Sequence, residues 1–346
     1  NSTGEFLSAA KPAELTQALQ DALASIADRT GSAAAVATTS SAVSSDTAIF
    51  QALFDSGDWS GNVRRLGLTE NADGTVDVNG TPDWAAAPKL DALDWDSDRE
   101  IITRDTDSGD FVPFRWGPQL SDPQKTALND NPSTSATDND NQGPQRLRFL
   151  RGQRSNEAQN GGSFRDRSGV LGDIINSEPA RVGAPNFTYP DNWPSGPENG
   201  DPYSDFVTNN QSRTPMVYVG ANDGMMHGFD ASDSSSGGEE KIAYVPTPVY
   251  EELPELTDQT YNHRFYADAY FDDSGSEWRS VVIGGLRNGG RGVYALDVTD
   301  PSTFDESNAS AIGLWEFTAD DDDDMGHVNG SVPIVRLAND QWAAIV

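Results

Sequence analysis

A glycine-punctuated unit occurs twice in this chain, and it constrains the fold more than any other feature. Val217-Tyr218-Val219 runs through Gly220-Ala221-Asn222-Asp223-Gly224 into Gly228-Phe229-Asp230. Later, Val281-Val282-Ile283 runs through Gly284-Gly285 and Gly289-Gly290 into Gly292-Val293-Tyr294-Ala295-Leu296-Asp297. Each copy reads as strand, glycine turn, and strand ending in Asp. The first turn glycines, Gly220 and Gly284, stand 64 residues apart. Leu314-Trp315-Glu316-Phe317 supplies the next strand of the second copy, and Val332-Pro333-Ile334-Val335-Arg336-Leu337 opens a further unit. Repetition of a whole supersecondary unit points to a stacked or radial array, and strand-turn-strand-Asp followed by Trp-x-Phe is a propeller-blade pattern. Two unrelated hairpins in a sandwich are the alternative.

The rest of the chain fits a mainly β fold, a partial β-propeller with quinoprotein-like blades and an N-terminal helical segment. Residues 61–68 alternate polar and apolar, Asp73-Gly74 makes a turn, and Thr75-Val76-Asp77-Val78 returns, which is a hairpin signature. Residues 99–104 and 111–116 read as a second strand pair across the turn-rich 105–110. Upstream, Leu15, Leu19, Leu23 and Ile26 recur at three- and four-residue spacing and predict an amphipathic helix over 12–27, with Pro12 at its start. Residues 1–45 are therefore expected to form a helical segment and 46–346 the N-terminal part of the propeller. Segments 129–145, 191–202 and 231–239 are polar and read as loops, the first as exposed and mobile.

Charge and cysteine content remove several functions. There are 55 Asp and Glu against 23 Lys and Arg, a formal net charge of -32, and no cysteine. No disulfide framework, zinc-thiolate site or cysteine nucleophile is possible. Nucleic acid is excluded as a partner, since each phosphate contact needs a cation, and anionic lipid is disfavoured for the same reason. No run approaches the ~18 apolar residues of a membrane helix. The acidity suits solubility or a saline habitat. The chain opens at Asn1 and closes on Gln341-Trp342-Ala343-Ala344-Ile345-Val346, which reads as an interrupted strand, so the expectation is a piece of a longer protein.

Four phrases together resemble the C-terminal propeller region of the PilC/PilY family of type IV pilus biogenesis and tip-adhesin proteins. They are Phe149-Leu150-Arg151-Gly152 with Arg154-Ser155; Phe164-Arg165-Asp166-Arg167 with 171–179 (LGDIINSEP); 218–230 (YVGANDGMMHGFD); and 289–299 (GGRGVYALDVT). The helix at 12–27 is similar to the end of the von Willebrand factor A-like domain that can precede this propeller. The resemblance implies a periplasmic, outer-membrane or pilus-tip location. It implies roles in pilus assembly, retraction control and adhesion, with pilin or minor pilins and host or abiotic surfaces as partners. It also implies a calcium-binding Asp-x-Asp-x-Asp loop in the parent protein, expected beyond Val346.

Within the chain, calcium candidates are weaker. Asp138-Asn139-Asp140-Asn141-Gln142-Gly143 opens like a calcium loop, but its twelfth position is Phe149 rather than a bidentate Glu. Asn71-x-Asp73-Gly74-x-x-Asp77 has Thr69 where a first Asp belongs. Asp320 to Asp324 are five successive carboxylates, with Asp320, Asp322 and Asp324 on alternate positions; such runs are usually solvated loops. His227, His263 and His327 lack the spacing of a helical zinc site and read as structural. No nucleophile elbow occurs, and Gly284 to Gly290 lacks the lysine of a phosphate loop.

Arg146, Arg148, Arg151, Arg154, Arg165 and Arg167 fall within 22 residues. Their forks either neutralise carboxylates inside the fold, with Asp166 and Asp173 as partners, or form a docking patch for an acidic partner such as a pilin. The sequence thus reads as a non-enzymatic propeller that presents loops to a partner. The alternatives are a quinoprotein-type dehydrogenase, or a polysaccharide-binding module stacking sugars on exposed Tyr189, Trp193 or Tyr203.

Overall fold

The structure, a computed structural model, describes residues 33–38, 48–73, 75–134, 138–175, 177–196, 198–261, 278–330 and 332–346. The predicted helix at 12–27 and His263 lie outside the described residues. Three sheets and a hairpin succeed one another along the chain, and each packs a face against the next.

The first sheet comprises β1 (Ala33–Thr38), β2 (Ala48–Asp55), β3 (Ser60–Glu70), β4 (Val76–Val78) and β5 (Trp84–Ala85), all antiparallel. The β3–β4 pairing is the hairpin read around Asp73. One expectation needs correction. Residues 33–38 form a strand inside the segment read as helical. The longest partner of β3 is β2, whose near-continuous apolar run, Ala48-Ile49-Phe50-Gln51-Ala52-Leu53-Phe54, carries no alternation because its first five residues are all buried. The short helix α1 (Ala86–Asp91) closes this sheet.

The second sheet contains β6 (Ile101–Arg104), β7 (Phe111–Pro113), β8 (Ala180–Val182), β9 (Met216–Ala221), β10 (Met225–Asp230) and β11 (Glu240–Val245), in the order β7-β6-β11-β10-β9-β8. All neighbours are antiparallel except β6 and β11, which run parallel. Helices α2 (Asp122–Leu128) and α3 (Gly143–Leu150) were not legible beforehand. Ser121 and Gln124 cap α2 reciprocally, with Pro123 in its first turn. Helix α4 (Tyr203–Asn210) precedes β9.

The third sheet is β12 (Val281–Gly285), β13 (Gly292–Asp297) and β14 (Gly313–Thr318), with α5 (Ala309–Ile312) leading into β14. A hairpin of β15 (Ile334–Arg336) and β16 (Trp342–Ala344) follows.

Alternation along the strands decides the packing. Val217, Val219, Ala221 and Phe229 face the first sheet, meeting Phe50, Ala52, Val63 and Trp84. On the same face of the second sheet, Ile101, Met225, Ala243 and Val245 lie under α2 and α3, against Leu128, Leu147 and Leu150. The opposite face, with Met216, Tyr218, Met226, Ile242 and Tyr244, packs on Val282, Tyr294 and Leu296 of the third sheet. The far face of the third sheet, with Val281, Ile283, Val293 and Ala295, meets Ile334 and Ala344 of the hairpin. The two repeat units are thus successive sheets stacked face to face.

Their agreement extends to detail. Both have a register shift at the same step, between Gly228 and Phe229 in β10 and between Ala295 and Leu296 in β13. Each also places a tyrosine across from a glycine: Tyr218 opposite Gly228, and Tyr294 opposite Gly284. A Cβ on Gly228 would lie 2.7 Å from the Tyr218 ring, and one on Gly284 would overlap Tyr294. The glycines make room for rings that fill the space between sheets.

Candidate functional site

The arginine run resolves into internal pairs. Arg146, buried at the start of α3, grips Asp140 with both terminal nitrogens, Nη1 at 2.7 Å and Nη2 at 2.5 Å. Arg151 donates to Glu306 Oε1 at 2.6 Å. Arg154 and Arg167 share the fully buried Glu157, and Arg167 also covers the Phe149 ring at 3.5 Å. Burial depresses Arg167 to about 10 even against the opposing pull of Glu157. Arg165 donates to the Leu256 carbonyl at 2.7 Å and stacks over Tyr261. Arg148 alone of the six is exposed, with no ion pair among the described residues. Arg146, Arg151 and Arg167 are therefore corrected from docking candidates to scaffold groups. The partners also differ from those expected. Asp166 accepts from the Gln159 amide and Asp173 from Asn222, while Asp140, Glu157 and Glu306 take the arginines.

A second charged group was not legible. Arg99 forks onto Glu240 at 2.6 and 2.8 Å, and Glu240 accepts His227 Nδ1 at 2.7 Å. His227 Nε2 reaches both oxygens of Asp223 at 3.1 Å. Arg99 and Arg151 each donate to the other's carbonyl, at 2.7 and 3.0 Å, which joins this chain to Glu306. The network fills the seam where the first-sheet and helical covers of the second sheet meet. Burial pulls His227 down, but Asp223 and Glu240 outweigh it and raise it to about 9. Burial opposes ionisation of Glu240, yet Arg99 and His227 hold it at about 2. The signal available in the sequence was an acidic pair, Glu239-Glu240, running into an apolar strand, and a His inside another.

The calcium candidates are placed as follows. Asp140 is occupied by Arg146 and by the Gln142 amide, which leaves the Asp138–Asp140 opening without a cation cage. Asp73 accepts the Thr75 amide and hydroxyl, and Asp77 accepts Asn71 Nδ2, so donors stand where a cation would. Asp320, Asp322 and Asp324 are exposed; Asp321 caps Thr318, and Asp322 accepts the Asp324 amide. Among the described residues no group of three His, Asp or Glu converges as a metal site. Among the described residues, these candidates do not fit the implied calcium.

The described parts of the three loops are more firmly held than their composition suggests. In 129–145, Asp130 bridges Asn139, and residues from 143 on belong to α3. Segment 191–202 is tied to the hairpin through Glu198–Arg336 at 3.1 Å and Ser195–Asp340 at 2.5 Å. Segment 231–239 lies against the first sheet, with Trp84 Nε1 donating to the Ser232 carbonyl at 2.8 Å. The aromatic platforms are corrected too. Tyr203 is buried and packs edge-on against Trp278; Tyr189 stacks on Trp278 at 5.3 Å; Trp193 lies under Arg336. Two clefts stand out. One, about 460 Å³, lies at the β2–β3 tip beside Asp58 and Asp91, and one of about 610 Å³ lies between α3 and residues 257–260. No helix among the described residues is long and apolar enough to cross a membrane.

Comparison with known proteins supplies the remaining context. The family model described as the PilY1 beta-propeller domain matches residues 171–346. Type IV pilus biogenesis factor PilY1 of Pseudomonas aeruginosa strain PAK is 38% identical across 100% of this chain, which covers 29% of that protein. A type IV pilus biogenesis factor PilY1 homolog of Xylella fastidiosa strain Temecula1 is 44% identical over 58% of this chain and 14% of its own length. The crystal structure of the Pseudomonas aeruginosa PilY1 C-terminal domain shares 34% identity over 48% of this chain and 30% of that chain, with a TM-score of 0.34. The chain spans about 29% of the length of the first curated relatives it matches.

Proposed function

Since this chain belongs to the PilY1 β-propeller family, we propose that it is the propeller portion of a type IV pilus biogenesis factor and acts there without catalysis. Its work is to hold surface loops on a stiff stack of sheets, in pilus assembly, retraction control and adhesion. The setting is the bacterial cell envelope or the pilus, with pilins or minor pilins as partners. The observation that carries this reading is the family match over the same residues that form the stacked repeat. The internal pairing of the arginines supports it: charged groups that a catalyst would direct at substrate are spent on rigidity.

The test is genetic. The source bacterium carrying the parent gene without codons 46–346 is compared with one carrying the intact gene. Surface pili are counted by electron microscopy, and twitching and attachment are measured. Loss of pili or of twitching is the expected result. Wild-type values on every measure, with the shortened protein present at normal level, would reject the reading.

A further inference from the structure

We propose that the cleft between α3 and residues 257–260 is a binding site for an uncharged saccharide. Four segments meet there: 131–133, 140–146, 163–164 and 257–260. Its volume of about 610 Å³ lies within the range of small-molecule sites and leaves room for more than one sugar ring.

The walls are preformed. Asn131 donates its amide to the Asp138 carbonyl at 3.0 Å. Ser133 Oγ reaches Asp258 at 3.2 Å, and Gln259 Nε2 donates to the Ser163 carbonyl at 3.0 Å. The Arg146 guanidinium forms part of the floor, and four of its donors are committed to Asp140, the Leu128 carbonyl and Thr257. A ligand entering this cleft meets walls that are already cross-linked, so little ordering cost falls on binding.

Charge then selects the ligand class. Four of the five Arg146 N–H groups are committed, to Asp140, the Leu128 carbonyl and Thr257, which leaves one Nη2 hydrogen and no two-pronged fork for a phosphate or carboxylate. Asp140 is cancelled by Arg146, while among the described residues Asp258 is held by neutral donors, the Thr260 amide and hydroxyl and Ser133. The cleft therefore carries one uncompensated negative charge and repels acidic sugars. Apolar ligands find little surface, since only Pro132 and Phe164 are hydrophobic. The side-chain amides of Gln142 and Gln259 each have one hydrogen committed and one to spare, the Asn131 amide adds donors, and the Ser163 and Thr260 hydroxyl oxygens, whose hydrogens point to Gln142 and Asp258, can accept. Hydroxyl groups of a neutral sugar match that mixture. This inference is independent of the pilus role: a propeller with no part in pili would present the same cleft.

Saturation-transfer NMR on the full chain tests it, with cellobiose, maltose and N,N′-diacetylchitobiose as neutral probes and 3′-sialyllactose as the acidic one. Transfer to at least one neutral sugar is expected, with transfer to sialyllactose at least tenfold weaker. Ser163→Trp, at an exposed position, fills the cleft and should weaken neutral-sugar binding at least tenfold at an unchanged melting temperature. Gln142→Ala serves if that variant unfolds. Silence from all three neutral sugars, equal response from sialyllactose, or undiminished binding in both variants would overturn the proposal.

Discussion

The second and third sheets share a plan and fill it differently. Both have strand, glycine turn, strand, a register shift at the same step, and a tyrosine across from a glycine. Counting from the register shift, His227 in β10 takes the place that Tyr294 takes in β13, and Ala243 the place of Glu316. The second sheet has neighbours on both faces and holds a buried four-member charge chain. The third holds a single buried carboxylate, Glu316, which accepts Thr247 N at 3.1 Å and the hydroxyls of Tyr244 and Thr247. Likewise Ile242 and Tyr244 are buried, whereas Trp315 and Phe317, their counterparts by register, are 36% and 41% exposed. The repeat fixes backbone geometry, and what covers a face decides which side chains it carries.

The largest separation is expected between the two carboxylates. Glu240→Ala strands Arg99 and His227 without a counter-charge and should cost about 3–5 kcal/mol in urea unfolding. Glu316→Gln keeps an acceptor for Tyr244 and removes an uncompensated charge, so it should cost about 1 kcal/mol or less. Equal losses would erase the distinction drawn above.

The pH profile separates the sheets next. The folded-state value of His227, about 9, lies above its ordinary 6.5, so its contribution is complete below pH 6.5 and is lost as pH rises through 9. The size is roughly 3 kcal/mol. Glu240, held near 2, contributes fully above 4.5 and fails as pH falls through 2. Burial raises Glu316 above 4.5, which favours the fold on the acid side and is lost as pH climbs. Unfolding measured between pH 6 and 10 should show the alkaline decline in the wild type and its loss in His227→Gln.

Glycine substitutions test what the sheets have in common. Gly284→Ala and Gly228→Ala should each cost about 1–3 kcal/mol. Pairing G284A with Tyr294→Leu should give less than the sum of the two single losses, and additivity would show that the ring is not what the Cβ meets. The smallest effect belongs to the exposed counterparts. Trp315→Ala should stay within about 0.5 kcal/mol of wild type in thermal melts, against about 2–5 kcal/mol for Ile242→Ala.

Legibility followed the same division. Strands with glycine turns and alternating residues, β9, β10, β12, β13 and the β3–β4 hairpin, could be read from pattern alone, because backbone geometry demands those residues locally. β2 could not, since burial removes alternation, and α2 and α3 are short helices whose stability comes from packing on Ala243 and Val245. The arginine run was visible as a cluster, and internal pairing was one of its two readings. Its acids were not visible, because Arg151 meets Glu306 across 155 residues and Arg99 meets Glu240 across 141. The cleft between α3 and 257–260 has no sequence signature, being assembled from four separate segments.

The parallel seam between β6 and β11 governs the order in which such a molecule can mature. Thr103 and Val245 are 142 residues apart, and Thr103 Oγ donates to the Val245 carbonyl at 2.8 Å. A nascent chain therefore carries Ile101 to Arg104 with the β11 side of that strand unmatched while the 142 residues from Thr103 to Val245 are made. Such edges invite adventitious pairing until the matching strand arrives. Closing so long an intervening stretch slows assembly far more than it weakens the finished product. A chaperone that masks this segment would speed maturation most, and truncations ending before residue 240 should aggregate more than the whole chain does.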